Sequence, residues 1–424
     1  MKRLTGAGIS LLFMAVLILI VAAFTFRQAI FTSTPYSLKD AETSTLLNET
    51  ATPLPGTDVV SPLPTPMATV DPELQGYSFD EPRAVITHKS LILVGDWSPN
   101  SQDISVLFND AVSPGLEQIQ TFDVTKGQLR TFGNRQSMFI ARRPIWLSDI
   151  GKMAFMGANL PGKDGIAAPT HLWITGPGAT DLSLPAVEDI TAAAGSGHLV
   201  LVTKRGQSQP SLIDAATGDQ RIVPVDLKSY GIDVDGLYLQ MVWHPRLRRI
   251  AIFDPHNFLV LDLDSNHVDA FDLGYDNDEY HGAGPRWAFD ARWSPDGQYL
   301  ALITTQGTPI LPYTELRVLD LATHEVVNHD LGHRYVTDVT WSPDSKILLT
   351  ATVVDNAEGK NHLGLFLVNF VGGTHRRILP DTPITGGQFG FGLNWSPNGE
   401  IVAIYCPTSD EGRVCTMNVQ APQR

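Results

Sequence analysis

The chain has 424 residues, of which 43% are hydrophobic and 18% charged, so most of it can bury a core and it is not a disordered polymer. Thirty basic against 45 acidic side chains leave a net charge of −15, which repels phosphate backbones and argues against nucleic-acid binding. Two cysteines exclude an iron–sulfur centre, a four-cysteine zinc site and a disulfide framework of the small secreted kind.

The first element is a membrane segment. Lys2 and Arg3 precede an apolar run from Ile9 to Phe26. Eighteen residues of helix span roughly 27 Å, close to the hydrocarbon thickness of a bilayer. Ala22-Ala23 is followed by Phe24 and Phe26, a poor cleavage site, and no cysteine offers a lipid anchor. Residues 1–31 are therefore expected to form an uncleaved signal anchor, with Lys2 and Arg3 holding that end in the cytoplasm. A cleaved signal peptide is the alternative, and either one exports the body. The expected location is the outer side of a bacterial cytoplasmic membrane, single-pass.

Residues 32–82 are rich in Ser, Thr and Pro, poor in aromatics and without a period of 3.6 or 2. Such a segment buries too little apolar surface to offset its ordering entropy, so a disordered stalk is expected. Residues 83–424 carry 26 basic and 37 acidic side chains, so the globular part is acidic in its own right.

From there a repeat dominates. WSPN begins at Trp97, WSPDG at Trp293, WSPDS at Trp341 and WSPNG at Trp395. Trp146 and Trp243 open worn copies, WLSDIGKMAF and WHPRLRRIAIF. AAAGSGHLVLV around Ala193 keeps the turn glycines and the following strand but has no Trp. The intervals are 49, 47, 50, 50, 48 and 54 residues. In each copy an apolar segment ends at Trp, a turn follows, and three further short strands complete the unit. Pro presets φ for the second turn residue, and Asp or Asn with Gly completes the turn. Four short antiparallel strands per fifty residues make a propeller blade, so an all-β, seven-bladed propeller over 83–424 is expected.

These motifs resemble the propeller repeats of the periplasmic Tol-system protein TolB and related WD-like repeats of bacterial exported proteins. The resemblance spans about Ala84 to Val419 and implies the fold; it carries over no catalytic residue. The last copy supplies three strands before the chain stops, so the fourth is expected from Arg83–Val94, closing the ring. Cys406 and Cys415 flank the PTSDEGRV loop of that blade and are a candidate disulfide in an oxidising exterior. The recurrent Trp97, Trp146, Trp243, Trp293, Trp341 and Trp395 read as structural side chains packed between blades.

The sequence holds no G-x-S-x-G elbow, H-E-x-x-H, Walker loop or dinucleotide fingerprint, and no catalytic or cofactor residue is assigned. His324, His329 and His333 fall at different ends of one blade strand, so they are expected to be surface histidines rather than a metal site. Asp276, Asp278 and Glu279 offer oxygens of the type Ca²⁺ takes, but not in EF-hand order; a solvated acidic loop is expected there. Long or aromatic insertions share one face: 157–169, 274–287, 306–313, 355–362 and 381–391. They direct Tyr275, Tyr280, His281, Trp287, Tyr313, Tyr335, Phe389 and Phe391 towards one rim, the candidate partner face. The expected role is a non-catalytic tethered scaffold for a protein or envelope polymer. The rival is an envelope glycan hydrolase or lyase with its site in the channel.

Overall fold

The computed structural model describes residues 71–424 apart from 90, 110–116, 133–137, 141–143, 160–169, 178–181, 237, 279–281, 307–313, 333–334, 356–360, 384–391, 407–410 and 423–424. The apolar run at 9–26 and the chain up to residue 70 lie outside the described residues. Among the described residues no helix is long and apolar enough to cross a membrane.

Seven four-stranded antiparallel blades form a propeller. The inner strands are Leu91–Trp97, Ile145–Leu147, Ile190–Ser196, Gln240–Trp243, Gly282–Trp293, Tyr335–Trp341 and Asn394–Trp395. The Trp-less copy is a full blade, Ile190–Ser196, Leu199–Lys204, Ser211–Asp214 and Gln220–Ile222. Blades one and two are further bridged by Met138–Ile140, which pairs with Lys152–Asn159 and meets Glu117.

Among the described residues the core is divided into seven hydrophobic clusters, one in each seam between blades. Alternate residues of a strand serve opposite seams: Val402 and Ile404 face blade six, while Ala403 and Tyr405 face blade one. A strand buried on both sides needs apolar residues at every position, which is why YLALIT and IVAIY are continuous runs rather than alternating ones.

The turn after each Trp has a specific chemistry. The Ser294 hydroxyl donates to Asp296 Oδ1 (2.6 Å) and accepts from Tyr299 N (2.9 Å). Ser342, Ser396 and Ser98 repeat this with Asp344, Asn398 and Asn100. Gly297 and Gly399 take φ of 73° and 82°. Where the repeat has Ser instead, at Ser345 and Ser101, φ is still about 60°. There the hydroxyl compensates by accepting from Asp296 N and Asn398 N of the preceding blade, each at 3.0 Å.

In the worn fourth copy His244 stands where Ser does. Its Nδ1 accepts from Arg246 N and Leu247 N, and its Nε2 donates to Ser294 O at 3.2 Å. Burial pushes the imidazole from 6.5 down to about 4, and the residue is 1% exposed. The unfolded chain therefore takes up this proton first. The stability contribution is fully present above pH 6.5 and fades as pH falls towards 4, by up to about 3 kcal/mol. Burial shifts His329 the same way. Urea midpoints at pH 7 and pH 4.5 should differ less in His244→Ser than in the unsubstituted protein; an equal difference would contradict this role.

Inner-strand contacts staple the ring. Trp Nε1 donates to the preceding blade in four copies: Trp97 to Asn394 O, Trp146 to Asp96 O, Trp293 to Val242 O and Trp341 to Arg292 O. Trp243 and Trp395 instead donate to Leu247 O and Gly399 O of their own turns. Gln240 reaches Phe289 O, Asn394 reaches Gly95 O and Ser196 reaches Pro245 O.

Closure of the ring corrects two expectations. The fourth strand of blade seven is Arg83–His88, paired with Gly412–Gln420, whereas Leu91 already belongs to blade one. Residues 71–82, assigned by composition to the stalk, pack on the propeller. The short helix Pro72–Gln75 buries Leu74, Tyr77 is 5% exposed, and Ser78–Phe79 pairs with Val419 and Gln420. Asp71 accepts from Thr374 Oγ1 and, with Glu73, from the Asn369 amide; Arg376 donates to Tyr77 O at 2.6 Å. These hydrogen bonds, Thr374 first and then Asn369, hold the Asp71 carboxyl below its ordinary value. The segment is a strap across blades six and seven.

Cys406 and Cys415 are joined by a disulfide with Cα atoms 5.9 Å apart. It closes a loop of about ten residues, so its chain-entropy contribution is about 2–3 kcal/mol. Thermal melting with and without dithiothreitol should show a fall of several degrees with the protein still folded; complete unfolding on reduction would contradict this share.

Candidate functional site

Strand direction defines two ends of the ring. Inner strands run towards the Trp turns, so these turns and those between third and fourth strands form one face, here the base. Connections between second and third strands, and between blades, form the opposite loop face.

On the loop face, the 274–287 insertion is a β-hairpin: Tyr275–Asp278 pairs with Gly282–Pro285, and Arg286 N donates to Gly274 O (3.0 Å) at its neck. Tyr275 thus lies in the hairpin, although only its backbone is described. Tyr280, His281, Tyr313, Phe389 and Phe391 lie outside the described residues, as do Glu279 and His333. Tyr335 begins the inner strand of blade six and is half-buried. Trp287 is 3% exposed and therefore a packed residue rather than a rim side chain. Its ring centroid lies 6.1 Å from Tyr238 and 6.2 Å from Phe289.

The three histidines are not brought together. His324 sits in a turn at φ 63° with its ring 4.7 Å from Phe271. His329, expected at the surface, is 6% exposed, because it pairs with Leu316 and shares that residue's side of the sheet, towards blade six. Among the described residues no group of three or more His, Cys, Asp or Glu side chains is arranged to hold a metal ion.

One constellation in the ring was not anticipated. Arg292 Nη2 lies 3.2 Å from Asp290 Oδ2 and 3.5 Å from Asp338 Oδ1. Burial disfavours the guanidinium charge, but the carboxylates of Asp290, Asp338 and Asp96 outweigh it and raise its pKa. These residues come from the inner strands of blades five, six and one, so their fields meet across the channel. Asp338 is fully buried: its Oδ2 accepts from Gly392 N (2.8 Å) and Leu393 N (2.9 Å), and its Oδ1 accepts from Val339 N (2.9 Å). A register shift precedes both Asp290 and Asp338: the ladder skips Phe289 and Thr337 and resumes at the two aspartates, which pair with Ile303 and Ala351. The available signal was an Asp three residues before the repeat Trp in FDARW and TDVTW.

The base carries a cavity of about 570 Å³ between the strap, the Trp turns of blades six and seven and the C-terminal tail. Tyr77, Ile347, Trp395, Val419 and Pro422 line it, with Lys346 and Glu400 also present.

No family model matches the chain, and no curated protein sequence does. Solved structures are similar in fold. The β-propeller domain of Cps50 (Swd1) from Myceliophteria thermophila is 10% identical with a TM-score of 0.50, covering 79% of this chain and 99% of that one. Oligogalacturonate lyase from Vibrio parahaemolyticus is 9% identical at 0.46, covering 81% and 96%. Hydrazine synthase from Kuenenia stuttgartiensis is 13% identical at 0.40, covering 75% and 74%. At these identities the likeness shows a propeller and assigns no activity.

Proposed function

We propose that the chain is a non-catalytic, membrane-tethered extracytoplasmic propeller that presents its loop face to a protein or envelope polymer. The observation that carries this reading is the position of the strap. Asp71 is held by Asn369 and Thr374, which flank the turn between the third and fourth strands of blade six, on the base. A tether entering there leaves the opposite, elaborated face directed away from the anchor. The apolar run at 9–26 and the resemblance to TolB-type exported propellers agree with that geometry.

The test is crosslinking and affinity capture of the full-length protein from native membranes, beside a variant in which a two-residue turn replaces 275–285. The hydrogen bond at the hairpin neck allows this excision without pulling on blade five. One envelope component captured near stoichiometrically by the full-length protein, and lost with the variant, is expected; equal capture by both would overturn the reading.

The channel carboxylates around Arg292 favour a second reading, an envelope glycan hydrolase or lyase. It requires turnover of a glycan that Asp290→Asn abolishes without loss of fold.

A further inference from the structure

We infer that the cavity at the base is a binding site for a small organic cation, an ammonium group carried on an apolar body. About 570 Å³ of space lies there between the strap, the Trp turns of blades six and seven and the C-terminal tail. That is the size of a small-molecule pocket and far more than a packing gap in a folded interior. The walls suit the apolar body. Tyr77 from the strap and Trp395 from blade seven both line the cavity, with ring centroids 5.9 Å apart and planes at 78°. Ile347 and Val419 add aliphatic surface beside them. Trp395 is turned to this side: its Nε1 donates to Gly399 O of its own turn, where four other repeat Trp residues reach back to the preceding blade. Aromatic rings attract a cation through their quadrupole, Trp most strongly.

The charges select the sign. Glu73, Asp344 and Glu400 line the cavity against Lys346 alone, three carboxylates to one ammonium. They come from separate segments, the strap and the two turns, and converge only because the strap docks. Glu73 accepts from the Asn369 amide at 3.0 Å and Glu400 from the Asn398 amide at 2.8 Å. These neutral donors orient the two carboxylates without cancelling their charge. Apolar walls of low dielectric concentrate the resulting field, so a cation is drawn in, an anion is repelled and a neutral molecule gains nothing from it. Because the strap supplies one wall, occupancy also holds the strap down by mass action on its docked form.

Three probes with one body and three head groups test this: 3-phenylpropylammonium, 3-phenylpropanol and 3-phenylpropionate. The full-length protein in dodecyl maltoside should be titrated calorimetrically with each at pH 7 and low salt, with blank micelles subtracted. Saturable binding of the ammonium with a Kd at or below about 1 mM is expected, at least about tenfold tighter than the alcohol, and no binding of the carboxylate. Two exposed, near-isosteric substitutions then locate the site. Glu400→Gln removes a carboxylate and should weaken the ammonium by about threefold or more, whereas Lys346→Gln removes the opposing charge and should tighten it by a similar factor. Damage to the fold would not move the two variants in opposite directions. No saturable binding of the ammonium, an alcohol that binds as tightly, or variants that leave the Kd unchanged or shift it the same way would each overturn the inference. The display reading stands apart from all of these outcomes, on capture through the hairpin.

Discussion

Asp338→Ala is expected to lower the unfolding free energy by about 3–5 kcal/mol, the largest effect of any single substitution in the ring. The carboxylate has no solvent exposure and accepts three backbone N–H groups, two of them from the segment that opens blade seven. It also faces Arg292, whose charge would keep Asp290 as its near partner but lose the one across the seam. Removing Asp338 leaves buried donors unpaired, and that penalty exceeds the loss of packing. Asp338→Asn keeps an acceptor without the charge and should fall between the two. Urea denaturation gives the comparison, and a loss below about 1 kcal/mol for the Ala variant would show that the seam is held by apolar packing alone.

The second large effect concerns the strap. A fragment beginning at residue 71 should be as stable as one carrying the preceding segment, whereas a fragment beginning at residue 83 should lose at least about 4 kcal/mol. It forfeits two buried side chains, Leu74 and Tyr77, each worth roughly 2–5 kcal/mol on truncation, and the bonds to Asn369, Thr374 and Arg376. Tyr77 and Phe79 also lie edge-on to Trp395, with centroids 5.9 and 5.8 Å away. Full-chain Leu74→Ala provides the complementary measurement, with an expected loss of about 2–5 kcal/mol. Equal stability of the two fragments would return residues 71–82 to the stalk.

The two results mark where sequence reading succeeds and where it stops. Seven blades were legible because a local rule recurs at a spacing of about fifty residues, a turn followed by an apolar strand, opened by Trp in six copies and by Trp-Ser-Pro in four. Even the Trp-less blade kept LVLV after its turn glycines, so spacing identified it. The strap was not legible, since a single helical turn has no period and its Pro and polar residues match the stalk before it. Only Leu74, Tyr77 and Phe79 distinguish it, and their burial depends on blades six and seven. The cluster around Arg292 was hidden for a different reason: Asp96, Asp290 and Asp338 meet it through ring closure, which places residues almost 200 positions apart in one field. The loop face was legible as a face, because connection length shows where chain is added. The packing of Trp287 was not, because period two says which side a residue takes and not how deeply its neighbours cover it.

The proposed orientation puts the tether at the base and the partner at the loops. Photo-crosslinking residues placed singly in the full-length protein in native membranes test it most directly. Arg205, Tyr238 and His256 are exposed on the loop face; Val371, 80% exposed, and Asp264 lie on the base. Adducts to one envelope protein or polymer from the three loop-face sites, with none from the two base sites, are the predicted result. Adducts to that component from Val371 and Asp264 alone would contradict the account and make the base the working surface.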